Sequence, residues 1–161
     1  PWGPYDQRGV EMRPDVLVYS SDPLEQDMTV IGPIKVVLHA ATDGVDTDWT
    51  AKLVDVSPSG YAMNLCDGIT RARYRESFQH PELLTADELY EYEINVGVTG
   101  NVFKAGHRVR LEISSSNFPR YDRNLNTGED NGTSTETRSA QQTIYHSSAR
   151  PSHVLLPVIP T

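Results

Sequence analysis

From residue 90 to 98 the apolar positions Tyr90, Tyr92, Ile94, Val96 and Val98 alternate with Glu91, Glu93, Asn95 and Gly97. A period of two along an extended chain puts one set of side chains on each face, so this stretch predicts a strand with one buried and one wet face. Residues 108–115 repeat the pattern, with Val109, Leu111 and Ile113 set against Arg108, Arg110, Glu112 and Ser114. Further strands are predicted over 16–20, 34–42, 49–56, 62–74, 143–147 and 154–158, with 29–31 as a short extra segment. The dividers are Asp43-Gly44, Ser57-Pro58-Ser59-Gly60, Thr99-Gly100-Asn101 and Lys104-Ala105-Gly106, which tolerate positive φ or pre-set a bend. Only 81–89, with Thr85 or Asp87 as candidate cap, offers a helical turn. Eight or nine strands in 161 residues exceed what an immunoglobulin-type sandwich uses in about 100. Helical signals are too sparse for βαβ units, so the expected fold is all-β, a jelly-roll sandwich of the galactose-binding-domain-like kind.

Length and charge narrow the role. A chain of this size buries roughly two thirds of its unfolded surface, enough for one domain with a core. Fourteen Lys and Arg stand against 22 Asp and Glu, a net charge of −8. That field repels phosphate backbones and anionic headgroups, which argues against nucleic-acid and membrane-surface partners. The apolar runs at 36–38 and 154–156 fall far short of the ~20 residues of a spanning helix. The lone Cys66 rules out an internal disulfide and leaves the compartment open, and its setting in Met63-Asn64-Leu65-Cys66 suits a small buried hydrophobe better than a nucleophile. The chain opens at Pro1 without a signal-like segment and reads as an excised piece or mature product.

Catalytic chemistry is hard to find. The G-x-S-x-G elbow of serine hydrolases does not occur. His39, His80, His107, His146 and His153 lack metal-ligand spacing, and no metal or other cofactor is expected. Asp43, Asp46 and Asp48 crowd one turn but do not follow the calcium-loop pattern, so capping of the turn by their oxygens is the expectation. Asn131-Gly132-Thr133 is a glycosylation sequon only in a pathway that uses one, and otherwise a turn. Arg71, Arg73 and Arg75 alternate along one strand, where Glu91 and Glu93 of another strand could match them.

Six ordered blocks, considered together, say more. They are Asp6-Gln7-Arg8 followed by 13–19; 46–53, with Asp48-Trp49; 68–74, Gly-Ile-Thr-Arg-Ala-Arg-Tyr; 102–111, with Lys104-Ala105-Gly106-His107-Arg108; 115–124, Ser-Ser-Asn-Phe-Pro-Arg-Tyr-Asp-Arg-Asn; and 150–157. In this order the chain resembles the C-terminal domain of the X-prolyl dipeptidyl-peptidase family, which also includes cocaine esterase and α-amino acid ester hydrolases. The resemblance implies a non-catalytic jelly roll packed on an α/β-hydrolase domain of the same parent chain. The family's Ser, Asp and His lie outside the stretch matched, so no catalytic residue carries over. It also suggests that Asp48 caps a loop while Trp49 enters the core, and that Gly106 makes a turn ahead of His107.

On this reading residues 1–14 are a linker from the catalytic domain, and 15–161 are the jelly roll that shapes the active-site rim of an acyl esterase or X-prolyl peptidase. The segment 117–138, dense in Asn, Asp, Thr, Gly and Ser, is long for a structureless loop unless it binds something. Its first part mixes Phe118 and Tyr121 with Arg120, Asp122 and Arg123, a mixture that suits an interface better than open solvent or a core. Phe118, Arg120, Tyr121 and Arg123, with Trp2 and Tyr5 of the linker, are therefore the expected domain interface. A homo-oligomer is compatible with the sequence. The competing reading is an independent carbohydrate- or ligand-binding sandwich, which an exposed aromatic platform would favour.

Overall fold

The structure is a computed structural model that describes residues 3–160. Trp2 lies outside the described residues. The strands are β1 (Val16–Ser20), β2 (Met28–Thr42), β3 (Asp48–Val56), β4 (Ala62–Arg71), β5 (Tyr90–Phe103), β6 (Arg108–Ser114), β7 (Gln142–Ser147), β8 (Arg150–Pro151) and β9 (His153–Leu155). One sheet runs β1-β6-β3-β4; the other runs β5-β2-β7-β8, with β9 also on β2, and every pairing is antiparallel. The two sheets face each other as the β-sandwich that the alternation predicts. Inward side chains interdigitate between them, Trp49, Leu53 and Ile113 from the first sheet against Leu38, Tyr92 and Ile94 from the second, all essentially out of solvent. Each such side chain contributes roughly 1.5–3 kcal/mol by leaving water.

The flank between β4 and β5 is drawn tight. A Cβ on Gly68 would collide with the Asn95 carbonyl, so the backbones of the two sheets touch there and only glycine fits. Gly106, at φ +82°, makes the predicted turn into β6, where His107 N–H donates to the Lys104 carbonyl at 2.9 Å.

Several boundaries differ from expectation, each for a tertiary reason. Segments 29–31 and 34–42 join into one strand, because Gly32 and Pro33 pair with Thr99 and Val98. The register shifts at Ile34/Lys35, which absorbs the irregularity as a bulge. For the same reason Thr99-Gly100-Asn101 is not a turn: β5 continues through it to Phe103. Strand 62–74 stops at Arg71 and becomes a 3-10 turn, Ala72–Tyr74, where Ala72 N–H donates to Thr47 O and Arg73 N–H to Asp46 Oδ1. Strand 154–158 shortens to β9 plus a single bridge from Val158 to Val30. No helix forms over 81–89, whose amides reach the end of β2 and the loop after it: Asp87 N–H donates to Thr42 O and Leu84 N–H to Val45 O. A short helix, α1 (Arg8–Glu11), forms instead near the start of the chain. It crosses the outer face of the first sheet, held by Lys52 Nζ on Gln7 Oε1 at 2.9 Å and by Arg110 Nη1 on Glu11 Oε2 at 2.7 Å.

Candidate domain interface

Loop 117–123 is anchored on β4. Asp67, paired with Lys52 across the sheet and only 5% exposed at its side chain, accepts Asn117 Nδ2 at 2.7 Å and Arg120 Nη1 at 2.5 Å. Those bonds satisfy a buried carboxylate and fix the loop's first turn, where the Arg120 and Tyr121 amides both donate to Asn117 O. Above that anchor Phe118 stands 57% exposed, with the Arg123 guanidinium 4.5 Å from its ring centre and Arg120 5.5 Å from that of Tyr121. Cation–π contact stiffens such a pair without hiding it from a partner. Tyr5, about half exposed, lies along the same strand: its carbonyl accepts the Asn64 amide, roughly 10 Å from Asp67 at strand spacing. Five of the six expected interface residues thus flank β4.

A second set of bonds, deeper and missed by sequence reasoning, carries the rest of the loop. Asp46 and Asp48 are out of solvent. Asp46 Oδ2 accepts Arg73 Nε at 2.8 Å, and Asp48 accepts Arg71 Nε at 2.8 Å and Nη2 at 3.0 Å. Asn124 Nδ2 donates to both carboxylates, at 2.8 and 2.9 Å, and so ties the loop to the sandwich. The Asp48 expectation is thereby sharpened, since its carboxylate holds an arginine and a loop asparagine while Trp49 is fully buried. The matching of Arg71, Arg73 and Arg75 to Glu91 and Glu93 is overturned. β4 and β5 belong to different sheets; Glu93 pairs with Lys35 and Glu91 with His39, while Arg75 reaches Glu82 and lies over the Tyr90 ring. The spacing Asp-x-Asp against Arg-x-Arg was the signal available, on neighbouring strand ends.

Groups that could do chemistry are held in structural roles. His107 Nδ1 lies 2.8 Å from Asp55 Oδ1, and Asn101 Nδ2 donates to the other oxygen at 3.3 Å. Among the described residues no serine, threonine or cysteine side chain is hydrogen-bonded to a histidine ring. Burial, and then the charge of Asp67, push the Cys66 thiol up to about 11, away from the thiolate a nucleophile requires. No group of three or more His, Cys, Asp or Glu that could hold a metal occurs among the described residues.

Fold and loop together define an all-β sandwich domain that presents an aromatic and arginine-rich loop beside one strand. The chain belongs to the family of X-Pro dipeptidyl-peptidase C-terminal non-catalytic domains, whose profile matches residues 2–155. It is 47% identical over 159 residues to the cocaine esterase of Rhodococcus sp. (strain MB1 Bresler), covering 98% of this chain and 28% of that protein. A solved α-amino acid ester hydrolase superposes with TM-score 0.94 at 36% identity, over 98% of this chain and 28% of that one. An aminopeptidase from a marine sediment archaeon, Thaumarchaeota archaeon, superposes with TM-score 0.95 at 33% identity, over 99% and 28%. The chain therefore spans little more than a quarter of the length of these relatives.

Proposed function

We propose that this chain is the accessory domain of a serine hydrolase that cleaves ester or amide bonds. In this reading an α/β-hydrolase domain of the same parent chain supplies the Ser, Asp and His, and the sandwich packs on it and shapes the rim of its active site. Residues 1–14 act as the linker and 15–161 as the packed domain. The observation that carries the reading is Phe118, held in the open by a loop whose base is fixed to a buried carboxylate. A large aromatic beside an arginine, on a preorganised support, is the composition of an interface hot spot. Tyr5, Tyr121 and Arg123 extend the same contact.

Thermal melting of Phe118→Ala tests this in two settings, the chain alone and the parent protein. The chain alone is expected to melt as before, and the parent to melt several degrees lower or to turn over its substrate less well. Equal destabilisation in both would place Phe118 in the domain's own packing and end the proposal. Arg120→Ala is the poorer probe, since it strips a partner from buried Asp67 in either setting.

One feature favours the second reading, a ligand-binding module: Phe78 is 87% exposed and stacks on Tyr74 at 5.9 Å between ring centres. Sugars bind on such rings, so a galactose or oligosaccharide titration that quenches tyrosine fluorescence and fails in Phe78→Ala would support that reading.

A further inference from the structure

A cavity opens between the sheets on the side opposite the Gly68 contact. It is a slot of about 470 Å³ between the sheets, lined by Leu111 and Ile113 of β6, Ile144 of β7 and Val154 of β9, with Val36 and Leu38 at its floor. The sandwich is unfinished there. Tyr19 is paired with Leu111 and Leu17 with Ile113, so both side chains point inward, yet they remain 37% and 42% exposed. Val109, Leu111, Ile144, Val154 and Leu156 also pack on the core while only partly buried. Across the mouth the Tyr19 and His146 rings meet, 5.9 Å apart and edge to face.

The backbone at the rim is open too. Ser21 N–H donates to Val109 O, and Val16 N–H turns away from β6 to Arg13 O. In an antiparallel pair, bonding alternates along the strand, so this register aims the N–H and C=O of Val18 and Ser20 away from β6, toward the open flank. Neither amide has a backbone partner among the described residues. A small apolar molecule could fill the slot but would leave those groups unpaired. An extended polypeptide meets both needs, since its main chain pairs with a sheet edge while alternate side chains fill pockets beneath. A supply of such polypeptide exists in relatives, of whose length the matched region is 28%.

We propose that the slot receives an extended, alternately apolar segment of the same parent polypeptide, which adds to the free edge of β1 and lowers its side chains between Leu111 and Val154. This rests on the reading above only in requiring a longer parent chain; it concerns the flank away from Phe118 and does not depend on which domain the segment comes from.

Amide hydrogen exchange on this chain and on the parent protein tests the proposal. Val18 and Ser20 should exchange rapidly in the chain alone and on the order of 100-fold more slowly in the parent. The slot should bind anilinonaphthalene sulfonate in the chain alone and not in the parent. Equal exchange of the two amides in both proteins, or a parent that still binds the dye in the slot, overturns the proposal. Protection already present in the chain alone and growing with concentration would mean that a second copy pairs with β1, and overturns it as well. Val18→Pro gives an independent check, because proline at an edge removes an outward N–H and spares the ladder to β6. The substitution should leave the chain's melting nearly unchanged and lower the parent's, and the reverse order overturns the assignment. Protection of Val18 and Ser20 alongside a silent Phe118→Ala would sink the interface and leave the strand addition standing; the opposite pair of results would do the converse.

Discussion

Along the β4/β5 flank the two sheets come into backbone contact, whereas along the β1/β7 flank they leave about 470 Å³ between them. The sequence is written differently on the two sides. The tight flank uses a glycine where another residue would collide, then locks its end with two carboxylate–arginine pairs and the asparagine of a distant loop. The open flank uses Val, Leu, Ile and Tyr, as a core would, without the residues that would cover them. A surface facing only water would carry polar side chains there, and the proposed strand addition would account for that contrast.

The largest effect expected on the tight side comes from Asp46→Ala. Asp46 is fully buried and accepts from Arg73 and Asn124, so its loss takes the carboxylate from a mostly buried guanidinium that keeps its bond to the Glu129 carbonyl. Breaking a buried pair by removing one partner costs about 3–5 kcal/mol. Urea unfolding should show that loss, and a cost below 1 kcal/mol would mean that the network is ornamental. Gly68→Ala should follow at roughly 1–3 kcal/mol or more, through separation of the sheets.

A sharper comparison uses two leucines that face each other across adjacent strands. Leu53 pairs with Leu111, the first fully buried and the second lining the slot. Leu53→Ala should cost about 2–5 kcal/mol as a buried truncation. Leu111→Ala removes the same atoms from a half-wet site and should cost about half as much in the chain alone. Equal costs, measured by chemical denaturation, would show the slot to be closed in solution.

How far this was legible in the sequence depends on the range of the interaction. The alternation at 90–98 and 108–115 marked the first part of β5 and all of β6, because one half-buried face is a local pattern. Gly32-Pro33 and Thr99-Gly100-Asn101 misled, since residues that break strands locally sit opposite each other at the far end of the β2/β5 ladder and are carried by its pairing. The helical turn expected at 81–89 failed because Leu84 and Asp87 spend their amides on the end of β2 and the loop after it, some forty residues away. For the site, the mixture at 117–123 pointed to an interface loop, but its support did not show: Asp46 and Asp48 read as one crowded, self-capping turn, Asp67 carried no signal of its own, and all three are distant in sequence from the loop they hold. The slot was invisible for a related reason, since Leu111 and Val154 look like ordinary core residues and only three-dimensional placement reveals that they lack cover.

A pH-dependent effect is expected on the outer face of the first sheet, apart from either flank. Glu112 is 2% exposed beneath α1, and neither of its carboxylate oxygens has a hydrogen-bond partner among the described residues. Lys52 Nζ lies 3.8 Å away; Glu11 packs beside it and is itself paired with Arg110. Burial pushes the Glu112 carboxyl up from 4.5 to about 7, with the Glu11 charge adding to the rise and Lys52 and Arg110 opposing it. A carboxyl whose pKa is raised by folding binds its proton more tightly in the folded state. Its contribution to stability is therefore full below about pH 4.5 and is lost as pH rises through about 7. Glu112→Gln mimics the protonated form and should flatten melting temperature against pH across that window. Relative to the unsubstituted chain the variant should gain stability at pH 8 and match it near pH 4.5. A variant that loses stability most at pH 8 would show that the ionised carboxylate, held by Lys52, is what the fold under α1 requires.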